Sequence, residues 1–145
     1  MSDSIAKHAA DGGQQLEPAV YDSGHIANLA QERFPDKSRG RVTWKTLFSS
    51  EKTSTNELTA GIATCPPNGG NLTLHRHAQA EIYHVIEGEG SVEISGQTHS
   101  VKQGSVLYIP GNVEHGVRNT GTNTNLVWLY CFAADSFSDV HYRFS

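Results

Sequence analysis

Three side chains able to hold a metal stand within seven residues of one another, at His75, His77 and Glu81, in the stretch GGNLTLHRHAQAEIYHVIEG from Gly69 to Gly88. In an extended chain alternate side chains share a face, so His75 and His77 point the same way, with Thr73, while Leu72, Leu74 and Arg76 are opposed. Two imidazoles then reach one point. Glu81 and Tyr83 keep that parity only if the strand runs through Ala78-Gln79-Ala80 without a turn. Two histidines on a strand are ordinarily surface residues or satisfied polar ones, so this stretch alone leaves both readings open. A fourth candidate, His115, follows the run GSVLYIPGNVE, a Gly-to-Pro strand with a turn after it. Three neutral imidazoles and one carboxylate would carry a net charge of about −1 and suit a borderline divalent ion such as Fe, Mn, Ni, Zn or Co. Four protein ligands leave a position open on a five- or six-coordinate ion, which catalysis by a metal requires.

Those residues need a scaffold of strands. The chain has 145 residues, enough for one core, and its 14 Gly and 5 Pro lie between short apolar runs, which favours an all-β protein. Residues 1–20 show no periodic pattern and read as an arm. Ile26, Leu29, Ala30 and Phe34 recur at helical spacing, with Asp22 or Ser23 as cap and Pro35 as stop, which predicts a helix over residues 22–34. Strands are expected at 42–48, 58–64, within the opening stretch, and at 91–95, 98–101, 105–109, 114–118 and 125–132. That makes roughly nine, spaced as in an antiparallel sandwich or barrel. The expected organisation is an arm with a short helix over 1–40 and a barrel over 41–145.

Composition narrows the partners. A net charge of −4 disfavours nucleic acid and anionic membranes, which call for basic surfaces. No apolar run approaches a membrane span, and the polar N-terminus lacks the core of a secretory signal, so a cytoplasmic protein acting on a small metabolite is expected. Cys65 and Cys131 lack metal-type spacing and read as free thiols. Dimerisation through the N-terminal segment or a sheet face is plausible for a small barrel.

Read together, the two stretches resemble the cupin superfamily. Its first motif, Gly, five residues, His-x-His, three residues, Glu, six residues, Gly, is matched by Gly69, His75, His77, Glu81 and Gly88. Its second is matched by Gly104, Pro110, His115 and Asn119, with Asn112 where the pattern has Gly; Asn also tolerates the left-handed conformation. The resemblance implies an antiparallel jelly-roll barrel and makes His75, His77, Glu81 and His115 the expected ligands of one divalent transition metal.

The runs HRHAQAEIYHVIEGEG, YIPGNVEHGVRNTG and FSDVHY, with Trp44-Lys45 upstream, resemble the small single-domain cupins that cleave dimethylsulfoniopropionate to dimethyl sulfide and acrylate. The similarity spans residues 41–142. It implies a β-elimination on a small carboxylate substrate, with Tyr83 as base and Tyr142 as a second active-site tyrosine. A free tyrosine titrates near pH 10, so Tyr83 could act only with its pKa lowered by the metal or another cation. Trp44, Tyr108, Trp128, Tyr130 and Tyr142 are candidates to face the sulfonium, although core packing is the commoner use of each. The same ligands would also serve a dioxygenase, a sugar or keto-acid isomerase, or a cupin that binds a small molecule without turnover. His8, His25, His84, His99 and His141 are expected outside the site.

Overall fold

Period-two alternation of apolar and polar residues makes this chain a set of strands. The computed structural model describes residues 15–145; the first 14 residues of the expected arm lie outside the described residues. The strands are β1 (Thr43–Phe48), β2 (Thr59–Cys65), β3 (Asn71–Arg76), β4 (Glu81–Glu87), β5 (Glu89–Ile94), β6 (Gln97–Lys102), β7 (Val106–Ile109), β8 (His115–Asn119), β9 (Leu126–Phe132) and β10 (Arg143–Phe144). They form two antiparallel five-stranded sheets, ordered β1-β2-β9-β4-β7 and β10-β3-β8-β5-β6. This is the expected all-β jelly-roll barrel. The tenth strand, β10, pairs Arg143 with Arg76 and Phe144 with His75; two residues are too few to show alternation in a sequence.

The inward faces enclose one core. Trp44, Ala63, Val85 and Trp128 come from the first sheet and Leu72, Val92, Val101 and Val117 from the second. Each large apolar side chain removed from water stabilises the fold by roughly 1.5–3 kcal/mol. Cys65 and Cys131 are free, and burial pushes the Cys65 thiol up to about 12. Among the described residues no helix is long and apolar enough to cross a membrane.

The expected helix over 22–34 is shorter. Helix α1 spans Ser23–Asn28, capped by the Asp22 carboxylate, which accepts from the His25 amide at 2.8 Å, and Leu29 is already extended. Beyond it, the Glu32 amide donates to the Trp44 carbonyl at 2.7 Å and the Trp44 amide to the Glu32 carbonyl at 3.0 Å. That bridge turns Phe34 to the barrel, with its ring 4.7 Å from Trp44 and 5.4 Å from Tyr142. Helix α1 buries none of its residues, so continuing it would gain little packing, whereas extended chain delivers an aromatic ring to the core.

Two irregularities position the histidines. Strand β3 pairs Leu72 with Val117 and His75 with His115, so Thr73 and Leu74 stand against Gly116 alone. This bulge shifts the phase of the strand by one residue. Leu72 therefore faces the core beside His75, contrary to the alternation expected from the sequence. Added side-chain bulk at Gly116 would press on the bulge, since a Cβ there would lie 3.0 Å from the Leu72 carbonyl. The second irregularity is the link over residues 77–80, which carries the chain from β3 in one sheet to β4 in the other, so Glu81 does not continue the strand of His75. That link lies against the turn after β7: a Cβ on Gly111 would fall 2.3 Å from the Ala78 carbonyl, and the Asn112 amide donates to the His77 carbonyl at 2.7 Å. Asn112 has φ of 65°, the left-handed conformation expected where the motif has Gly.

Because backbone and not a flexible side chain blocks that Cβ, Gly111→Ala should lower stability by about 1–3 kcal/mol in denaturant titration. An unchanged midpoint would show that the two loops separate freely.

Candidate metal centre

His75 lies one residue before the end of β3, His115 opens β8 directly opposite it, His77 sits in the link between sheets, and Glu81 opens β4. All four are at most 3 % exposed. Each imidazole is held by its Nδ1, which donates to a backbone carbonyl: His75 to Thr73 at 2.8 Å, His77 to Gln79 at 3.0 Å and His115 to Val113 at 2.8 Å. A carbonyl only accepts, so Nδ1 carries a proton in all three rings, and it is Nε2 that each ring has to offer a metal.

Those nitrogens converge. The donor atoms of the three histidines lie within 4.8 Å of one another. Glu81 Oε1 is 3.2 Å from both His77 Nε2 and His115 Nε2, and His75 Nε2 is buried without a partner. Lone pairs facing a carboxylate inside a protein repel unless a cation stands among them. A proton on His75 is disfavoured: burial first, then the neighbouring His115 and His77, hold its pKa well below 6.5. The donor set thus fits a divalent ion of the transition series, with three imidazole nitrogens and one carboxylate oxygen.

Aromatic rings close around these groups. Tyr142 stacks on His75 with centroids 4.8 Å apart and meets His77 edge-on at 5.4 Å, while the Tyr83 ring lies 6.1 Å from His115 and 5.5 Å from Trp128. Trp44, Glu81, Tyr83, Trp128, Tyr130 and Tyr142 share the lining of a cavity of about 20 Å³. Burial pushes Tyr83 well above 10.0, and the Glu81 charge adds to it; Tyr142 is raised by the same two causes in the same order. Neither phenol ionises readily without a cation nearby.

The structure separates Tyr108 from this group. Strand parity turns Leu107 and Ile109 inward and leaves Tyr108 on the outer face, 65 % exposed and opposite Ile82, so it is not a lumenal residue. His25, His84, His99 and His141 are exposed, and His8 lies outside the described residues. Two lining residues escape the sequence reading. Phe34 looked like one face of a helix, although its place before Pro35 favours extended chain; Phe137, in the FSDVHY run, sits in a short 3-10 turn that carries no periodic signal.

Comparison with known proteins places the site in context. Residues 61–132 match the family model described as Cupin domain. Dimethylsulfoniopropionate lyase DddW of Ruegeria pomeroyi is 38% identical over 110 residues, covering 76% of this chain and 70% of that protein. An oxalate-binding protein of Thermotoga maritima is 32% identical over 63% of this chain and 74% of its own length. The solved structure of a predicted oxalate decarboxylase from Thermotoga maritima superposes with a TM-score of 0.66 at 27% identity, over 75% of this chain and 96% of that one.

Two outcomes check the donor set. His77→Ala and Glu81→Ala should each lose stoichiometric metal in elemental analysis of the purified protein, and metal retained in both would overturn the assignment. In metal-free protein, below about pH 6.5 the unfolded chain binds a proton at His75 that the folded chain does not. Stability should therefore fall as the pH drops below that value, by up to about 1.4 kcal/mol per pH unit for this group. A flat melting profile between pH 7 and 5 would contradict it.

Proposed function

The chain belongs to the cupin family, and from that premise we propose that it is a metal-dependent lyase cleaving dimethylsulfoniopropionate to dimethyl sulfide and acrylate. The observation that carries this reading is the buried donor set His75, His77, Glu81 and His115 with phenols of Tyr83 and Tyr142 beside it, in a chain similar to a lyase of that specificity. Relatives of this chain include enzymes. A divalent ion held by the four residues would draw electron density from the substrate carboxylate and acidify the adjacent C–H.

In this reading Tyr83, buried in the lumen, takes that proton. As the C–H electrons form the C=C bond, the C–S bond breaks and its pair returns to sulfur, giving a neutral sulfide. The requirement on Tyr83 is strict, because burial and the Glu81 charge both favour its neutral form. Cationic charge beside Glu81 offsets the second cause and moves the phenol toward use as a base. Rings of Trp44, Trp128, Tyr130 and Tyr142 surround the same space, and a desolvated aromatic face attracts a cation by about 0.5–2 kcal/mol. Tyr142, stacked on His75, also holds that imidazole in place.

A second reading has one specific support. The cavity is small and one relative is an oxalate-binding protein, which fits a chain that binds a small dicarboxylate without turnover. Dimethyl sulfide in the headspace of metal-loaded protein, above a metal-free control, would support the lyase. Thermal stabilisation by oxalate with no sulfide released would support the binder. Under the lyase reading, Tyr83→Phe should keep its metal and fold and lose about 100-fold or more in turnover. A fully active Tyr83→Phe protein would mean that another group is the base.

A further inference from the structure

Across the middle of the first sheet, Thr46, Gly61, Tyr130 and Tyr83 are register neighbours on β1, β2, β9 and β4. Gly61 contributes no side chain, and the Tyr130 hydroxyl fills the gap: a Cβ on Gly61 would lie 2.2 Å from it. The hydroxyl thus lies over β2, on the side of Thr46, the residue that pairs with Gly61 on β1. Thr46, 3 % exposed, donates its hydroxyl proton to Glu32 Oε1 at 3.0 Å and its amide to Glu32 Oε2 at 2.7 Å. Glu32 belongs to the segment that bridges to Trp44; its side chain is 32 % exposed and faces Lys52 at 3.6 Å.

The direction of this row follows from chemistry. A carboxylate only accepts, and a threonine hydroxyl has one proton. Thr46 has committed that proton to Glu32, so toward the lumen it offers lone pairs alone. The Tyr130 hydroxyl is buried with no hydrogen bond of its own, and is the neighbouring donor able to fill that acceptor. Once its proton turns to Thr46, Tyr130 presents lone pairs to the cavity.

We propose that Tyr130, Thr46 and Glu32 form the route by which a proton set free in the lumen reaches solvent, with Glu32 as the positioning residue that fixes its direction. The proposal rests on the lyase reading, because cleavage of the zwitterion yields dimethyl sulfide, acrylate and one proton per turnover. Tyr83, which holds that proton after the C–H bond breaks, gives it to the Tyr130 oxygen of the neighbouring strand and becomes phenolate again, as Tyr130 gives its own to Thr46 and Thr46 gives its own to Glu32. Glu32 then releases a proton to water on its open side. Both hydroxyls end neutral, and no other reactant is needed.

Glu32→Gln in the metal-loaded protein tests this. The carboxamide keeps the size and the bond to the Thr46 amide, but its NH2 donates to the Thr46 hydroxyl and reverses the row. Turnover should fall about tenfold with KM and metal content unchanged, and the slowing of kcat in D2O should grow. Thr46→Val should behave alike and Thr46→Ser should restore the rate, a rescue that a purely structural loss would not show. Wild-type kcat and D2O effect in Glu32→Gln would overturn the proposal. Should the wild-type protein release no sulfide, the lyase reading fails by itself, and the row is then read from the 13Cζ signal of labelled Tyr130, assigned with Tyr130→Phe. That signal should move in Glu32→Gln; an unmoved signal overturns the proposed direction.

Discussion

Four buried polar groups aimed at one point constrain everything else in this barrel. His75, His77 and His115 present Nε2 lone pairs, and Glu81 adds a carboxylate 3.2 Å from two of them. Gathering polar groups away from water is costly, so the arrangement depends on a surrounding fold that over-determines it. The means are local and repeated. Each Nδ1 is tied to a carbonyl two residues away in sequence, so the orientation of every ring is set by the backbone of its own segment. Ring orientation therefore survives only while those segments keep their irregular shapes.

The irregular shapes are in turn fixed across the two sheets. The β3 bulge is seated on Gly116, and the link carrying His77 is seated on Gly111 and Asn112. Arg143 of β10 donates to the Asn112 side chain at 2.6 Å, which joins the C-terminal strand to the same turn. Both ends of the barrel chain thus converge on the mouth. Phe34 from the N-terminal segment meets Tyr142 and Phe144 edge-on, each at 5.4 Å, and the Arg39 guanidinium covers Phe144 at 4.1 Å. Aromatic packing thus reaches His75, whose ring lies 5.6 Å from Phe144.

This division explains what the sequence discloses. The convergence of His75, His77, Glu81 and His115 was legible because groups brought to one point of a fixed scaffold need fixed chain lengths between them, and the strands were legible because alternation is a local property. Asn112 could be read as left-handed from its side chain alone. Leu72 could not be placed, since a bulge is decided by the partner strand, and parity counted through it comes out reversed. The helix over 22–34 failed for a related reason: the spacing of Ile26, Leu29 and Phe34 satisfied a helical pattern, but Glu32 gains two backbone hydrogen bonds to Trp44 by leaving the helix. Tyr108 was assigned by residue type, and only the inward turn of Ile109 shows that it faces out. Gly61 carries no signal by itself; its meaning is the Tyr130 hydroxyl that occupies its place.

Burial and charge then tie the acid-base behaviour of the lumen to the cation. Removal from water drives His75 down and Tyr83 and Tyr142 up, because each is resisted in its charged form, and the Glu81 charge pushes both phenols further in the same direction. A cation held at the donor set would act on all of these at once: it would take up imidazole lone pairs, offset the Glu81 charge and favour phenolate over phenol. Without such a cation, burial holds His75, Tyr83 and Tyr142 in their neutral forms. The desolvation that makes the site costly to build would therefore also make its acid-base chemistry depend on a cation.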